Sequence, residues 1–275
     1  MRADQKRLIY LVAGAAAVLI LAIFLAFRLG SGGSSEDAPD TASGINYIRS
    51  LEAKNPEDVE QILKAQREAK IREMRDERLR ELESGEISVW TLFEDYVILG
   101  DSRAVGFYYF GFLPESRVLA EGGSTIRTLR EHIPQVVEMN PANIFLCYGL
   151  NDVSIGYWDT PEAYVTEFRQ TIADIQSQLP DASIFVSSIL PARDPAFDTA
   201  PIWREIPTFS AAVREMCDTI DRCYYVDNDA IAQEYADLWD SEDGVHVNKA
   251  FYDHWAANLI AEVYNASLLS EMDNG

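Results

Sequence analysis

Four short stretches of the 275-residue sequence carry side chains that could act together on an ester: Gly100-Asp101-Ser102, Gly122-Gly123-Ser124-Thr125, Gly149-Leu150-Asn151-Asp152 and Asp243-Gly244-Val245-His246. A serine hydroxyl is a poor nucleophile until a base takes its proton. An imidazole can do this near neutral pH, and a carboxylate beside it fixes the tautomer and steadies the imidazolium. The Asp-x-x-His spacing offers that pair in Asp243 and His246, and Ser102 is the candidate nucleophile. Charge developing on the attacked carbonyl oxygen needs donors; the Ser102 N–H, the Gly123 N–H and the Asn151 side-chain NH₂ could supply three. Asp101-Ser102 is also an ordinary helix N-cap pair, and on this stretch alone both readings stand.

Stretches so far apart in sequence must be gathered by the fold. Five short apolar or β-branched runs, Tyr96–Leu99, Arg117–Ala120, Asn143–Tyr148, Ser183–Ile189 and Tyr224–Val226, read as strands. Helical patterns lie between and after them at Ser124–Glu138, Pro161–Gln178, Arg204–Ile220 and Asn248–Tyr264, the second with Thr160 as N-cap and Pro161 at its first position. Such alternation predicts βαβ units and a parallel sheet, whose carboxyl edge is where ligands bind. Each of the four stretches falls at a strand end or in a loop and so converges on that edge. A helix is expected to begin near Ser102 and to aim free N–H groups at a bound anion.

In this order the four stretches resemble the motif blocks of the SGNH/GDSL hydrolase family, from near Ile87 to the C-terminus. The resemblance implies a flavodoxin-like three-layer α/β/α fold with a five-stranded parallel sheet, working without metal or other cofactor. It implies Ser102 as nucleophile, Asp243 and His246 as its triad partners, and an oxyanion hole of Ser102, Gly123 and Asn151, with Gly122 the weaker counterpart in the second block. Arg103 departs from the family, standing where leucine is usual, and Val247 replaces a frequent proline. At the mouth of a cleft Arg103 would bias the substrate toward polar or anionic compounds. Asp152 is expected to hold its loop through side-chain-to-backbone bonds. His132 and His254 fall in helical patterns and are expected to be surface or packing residues. Trp158, Phe197 and Trp203 fall in loops that could overhang the cleft, where they would line a sugar or acyl pocket or simply pack.

Composition narrows the partners. Asp and Glu number 45 against 23 Lys and Arg, a formal net charge of -22 that repels a phosphate backbone, so no nucleic-acid partner is expected. Cys147, Cys217 and Cys223 lack the spacing and histidine partners of a zinc site. Cys147 reads as a small buried residue; Cys217 and Cys223 could bridge in an oxidising compartment.

Leu8 to Phe27 carries no charge and is long enough to cross a hydrocarbon core as a helix, with Arg2, Lys6 and Arg7 before it and Arg28 alone close behind. The positive-inside bias then places everything downstream outside the cytoplasm. The chain accordingly divides into a cytoplasmic tip and transmembrane anchor (1–28), a flexible linker (29–50), a charged stalk helix (51–86) and a hydrolase-type domain (87–275). The interrupted apolar stripe of the stalk could pack on its own domain or on a second copy. The expected function is that of an extracytoplasmic serine esterase acting on O-acyl groups, above all acetyl esters of cell-envelope carbohydrate or another small ester. The alternatives are an O-acyltransferase with the same triad, or a non-catalytic envelope-binding protein on a hydrolase fold.

Overall fold

The computed structural model describes residues 56–273. The expected transmembrane segment, the linker and the start of the stalk lie outside these residues, and no helix among the described residues is long and apolar enough to cross a membrane. The chain divides at Leu63/Lys64 into two units, and the sheet with its covering layers belongs to the second.

Helix α1 (Pro56–Glu83) leads to five strands, β1 (Tyr96–Gly100), β2 (Val118–Ala120), β3 (Asn143–Cys147), β4 (Ser183–Ser187) and β5 (Cys223–Val226). All pair in parallel, in the order β2-β1-β3-β4-β5, which is the flavodoxin-like arrangement. Helices α2 (Gly106–Tyr109), α3 (Ile126–Met139), α4 (Leu150–Ile155), α5 (Pro161–Gln178), α6 (Ala196–Thr199), α7 (Ile206–Cys217), α8 (Asp229–Glu234) and α9 (Phe251–Asp273) fill the connections and the C-terminus.

The strands bury both faces, so they read as continuous apolar runs rather than alternating ones. Val97, Leu99, Ile144, Leu146, Ile184 and Val186 point to one side, against α3, α5 and α7. Tyr96, Ile98, Phe145, Phe185 and Val226 point to the other, against α9 and the end of α1. Each such fully buried Val, Leu, Ile or Phe contributes roughly 1.5–3 kcal/mol through the water it leaves. Within α1 the apolar stripe serves the domain itself: Leu79 and Leu82 join the second core. Arg75 adds hydrogen bonds to Asn258 Oδ1 and Glu262 Oε2 on α9.

One expectation about the fold is corrected, and one open question is answered. The helix expected from Ser102 is replaced by a turn over residues 101–105 and only four helical residues, Gly106–Tyr109. The Arg103 and Ala104 N–H groups in that turn are taken by the Asp101 carboxylate and carbonyl. The cysteines are three free, buried thiols. Cys217 ends α7 and Cys223 begins β5, and the neighbouring Cys223 thiol, followed by burial, holds the Cys217 thiol protonated far above the usual thiol range.

Candidate active site

The register of the sheet decides which loops meet. Gly100 pairs with Ala120 on one side and Cys147 on the other, so β1, β2 and β3 end level with one another. The ladder continues one step past them, with Asp101 N–H donating to Cys147 O and Glu121 N–H to Gly100 O. Ser102 therefore leaves the sheet beside the loops carrying Gly123 and Asn151.

Asp101 and Ser102 divide the two roles that the sequence offered for them. The Asp101 carboxylate is buried and accepts the Arg103 N–H at 3.0 Å, closing the turn. The Ser102 hydroxyl is left to reach His246 Nε2 at 3.0 Å. His246 Nδ1 lies 2.6 Å from Asp243 Oδ2, so the imidazole bridges serine and carboxylate. Asp243 Oδ1 accepts the Val245 and His246 N–H groups at 2.7 and 2.9 Å, which fixes the carboxylate before any ring contact. Burial alone would raise the Asp243 pKa, but the His246 ring and these two N–H groups outweigh it and keep the carboxylate below its ordinary range.

Asp243 and His246 sit on a loop closed on itself. Trp239 and Val247 form an antiparallel bridge at its neck, Asp240 N–H donates to His246 O, and Gly244 N–H donates to Asp240 O. Gly244 has φ +65°, and a Cβ there would stand 2.3 Å from Arg193 O, so only glycine suits the position. The buttress is a segment to which the sequence reading assigned no part. Arg193 N–H donates to Gly244 O at 2.8 Å, its guanidinium lies 4.4 Å above the Trp239 ring, and Trp239 Nε1 donates to Pro191 O. The Pro191-Ala192-Arg193-Asp194-Pro195 run was the available signal, because two prolines around an arginine mark a fixed turn.

On the opposite side, α4 and the loop after β2 are stitched together. Asn151 Nδ2 donates to Ser124 O at 3.0 Å, and Asp152 Oδ1 accepts the Ile126 N–H at 2.9 Å. Gly123 lies between Glu121 and Ser124 with φ +81° and open space where a side chain would be. Thr125 caps α3, exchanging hydrogen bonds with Thr128. Asp152 thus holds its loop as expected. Burial pushes its pKa up to about 7 against the Ile126 N–H, with the nearby Asp101 charge adding to the rise.

The remaining residues resolve in favour of packing. Arg103, expected at a cleft mouth, is 3% exposed and turned inward, with Nη1 donating to Leu190 O at 2.6 Å and Nε 3.6 Å from Asp101 Oδ1; it cannot greet a substrate. Trp158 is buried against Tyr164 and donates to Glu167, and Trp203 donates to Leu150 O at 2.8 Å. Phe197 lies beneath the Arg204 guanidinium. His254 stacks on Tyr235 at 3.5 Å beside Glu83, and His132 is half-buried on α3. Among the described residues no cluster of His, Cys, Asp and Glu could hold a metal ion.

Residues 98–254 match the family described as GDSL-like Lipase/Acylhydrolase. The chain is also similar to solved structures. One is a GDSL-like lipase from Bacteroides thetaiotaomicron, 16% identical over 62% of this chain and 88% of that one, with a TM-score of 0.49. Another is the C-terminal catalytic domain of the peptidoglycan O-acetyltransferase OatA from Streptococcus pneumoniae, at 19%, 66%, 95% and 0.45 in the same order. A third is Axe2, an acetylxylan esterase from Geobacillus stearothermophilus, at 17%, 63%, 94% and 0.47. No curated protein matches the sequence.

Proposed function

The chain belongs to the GDSL-like lipase/acylhydrolase family, and from that membership we propose that it removes O-acyl groups, chiefly acetyl, from cell-envelope carbohydrate, with Ser102 as nucleophile. The observation that carries this is the hydrogen-bonded chain from Ser102 Oγ through the His246 ring to Asp243 Oδ2. As Oγ attacks the acyl carbon, its proton passes to His246 Nε2 across a bond of 3.0 Å already in place. Asp243 accepts the Nδ1–H and balances the charge of the imidazolium. The oxyanion takes N–H groups from Ser102, Gly123 and Asn151. One amide proton of Asn151 is spent on Ser124 O, which orients the group and aims the other. His246 then returns its proton to the departing sugar oxygen, and a water repeats the sequence against the acyl-enzyme.

Two features support a polymer-borne neutral substrate. The side chains of His246 and Asp243 are 48% and 42% exposed, so an ester on a chain too large to enter a pocket could still meet them. With Arg103 turned inward, a net charge of -22 disfavours anionic over neutral ligands. The uncharged segment Leu8–Phe27 would hold the domain at the outer face of a membrane, in reach of such polymers.

The test is acetate release from O-acetylated cell-wall glycan by the full-length chain beside its Ser102→Ala variant, with p-nitrophenyl acetate as a minimal ester. Release by the parent and loss of it on both substrates in the variant support the proposal. Release from the small ester but not from any glycan would remove the carbohydrate assignment and leave the esterase.

A further inference from the structure

Arg103 occupies the position after the nucleophile, where the family usually has leucine, yet it is buried beside an equally buried Asp101. A buried guanidinium is costly unless each of its partners is in place. Its partners lie on different segments. Nε faces Asp101 Oδ1 at 3.6 Å within the nucleophile turn, while Nη1 reaches across to Leu190 O at 2.6 Å.

Leu190 opens the segment that supports the triad loop. One residue on, Pro191 O accepts the Trp239 indole N–H at 3.0 Å; three residues on, the Arg193 N–H holds Gly244 O at 2.8 Å. A second tie runs from the nucleophile turn to the far side of that loop. The Arg103 carbonyl accepts the Tyr252 hydroxyl at 2.6 Å, and Tyr252 lies in the first turn of α9, just beyond His246. The nucleophile turn is therefore joined through Arg103 directly to α9, which follows the loop bearing Asp243 and His246, and through Leu190 to the Pro191–Arg193 segment that holds that loop at Trp239 and Gly244.

We propose that Arg103 is a positioning residue, clamping the Ser102 turn against the Asp243–His246 loop so that Ser102 Oγ stays within reach of His246 Nε2. The inference rests on Ser102 being the nucleophile. It explains why a charged, inward-facing side chain stands where an apolar one is usual: leucine could fill the space but could not hold a carbonyl on another segment. A clamp of this kind acts on the reacting geometry and not on substrate binding, so its loss lowers kcat and leaves KM.

The test uses the full-length chain and its Arg103→Leu and Arg103→Lys variants. Leucine removes both side-chain contacts. Lysine keeps a charge beside Asp101, which protects the fold, but lacks the planar fork that serves two acceptors at once. Folding is checked by circular dichroism and cooperative melting. The readouts are kcat and KM on p-nitrophenyl acetate and the second-order rate of labelling by a fluorophosphonate. Misplacing a nucleophile by about 1 Å costs on the order of 10²-fold, so Arg103→Leu should lose about that much in kcat and in labelling rate, and Arg103→Lys roughly 10-fold, both with parental KM. A folded variant of either kind with parental kcat and labelling rate overturns the inference, as does a rise in KM with kcat unchanged. If the parent's own labelling survives Ser102→Ala, it is the nucleophile assignment that has failed, a result the Arg103 variants cannot mimic.

Discussion

At the scale of single residues, two aspartates with opposite surroundings show how burial and donors divide the work. Asp243 is half-exposed and supplied with N–H donors, which keep it ionised as the partner of His246. Asp152 is 1% exposed, with the Ile126 N–H on Oδ1 and Oδ2 unpaired, and burial outweighs its backbone donors to raise its pKa to about 7. The unfolded chain, with an ordinary aspartate, therefore binds fewer protons than the folded one between about pH 4 and pH 7. The free energy of unfolding should fall as pH rises through that window, by up to about 1.4 kcal/mol per unit from this group. Asp152→Asn keeps an acceptor for Ile126 and cannot ionise. It should be more stable than the parent at pH 8, with the gap closing by about pH 4, as followed by urea denaturation; equal pH dependence in the two proteins would contradict the assignment. Asn151→Ala should lower kcat by roughly 10²- to 10³-fold with little change in KM, because the lost donor matters mainly as oxyanion charge develops. A change confined to KM would instead make Asn151 a substrate-binding group.

At the scale of elements, the loop from Trp239 to Val247 is the least forgiving part of the site. Gly244→Ala would need a Cβ within 2.3 Å of Arg193 O at a positive φ, so it should cost on the order of 1–3 kcal/mol in stability and shift His246 away from Ser102. Thermal melting together with turnover per folded molecule checks this, and a variant with parental stability and rate would show the loop to be adaptable. The α7–β5 connection carries a second expectation. Non-reduced protein unfolded in iodoacetamide should take up three alkyl groups, as free Cys147, Cys217 and Cys223 require; uptake of one would mean that Cys217 and Cys223 bridge. Elements differ in how plainly the sequence announces them. Thr160-Pro161 marks the start of α5 to the residue, because a capping hydroxyl and a pre-set φ are local properties. The turn after Ser102 resisted the same treatment. What shortens the helix there is Arg103 reaching Leu190, Tyr252 holding the Arg103 carbonyl and Phe107 buried in the second core, all set by partners far along the chain.

Across the whole molecule, the family fold was legible because its strands are buried on both faces, three of its motifs follow the parallel strands β1, β2 and β3, and the fourth lies on the loop before α9. The spacing of Asp243 and His246 announced their pairing, since three residues suffice for one loop to present both. Nothing local announced the inward turn of Arg103 or the buttress at Arg193, which exist only once β4 lies between β3 and β5. The helix α1 is likewise part of the domain's economy: Leu79, Leu82 and Arg75 join its later turns to the second core and to α9. A fragment beginning at Ile87 should be less stable than one beginning at Lys64 by at least about 3 kcal/mol, from apolar burial alone, by urea denaturation. Equal stability would make α1 dispensable to the domain. The proposed chemistry turns on the hydroxyl that His246 holds at 3.0 Å. Peptide mapping by mass spectrometry after fluorophosphonate treatment of the full-length protein addresses it directly. A single adduct is expected, on Ser102, that disappears in Ser102→Ala and is strongly slowed in His246→Ala; an adduct on another residue, or no adduct on folded parent, would contradict Ser102 as the nucleophile.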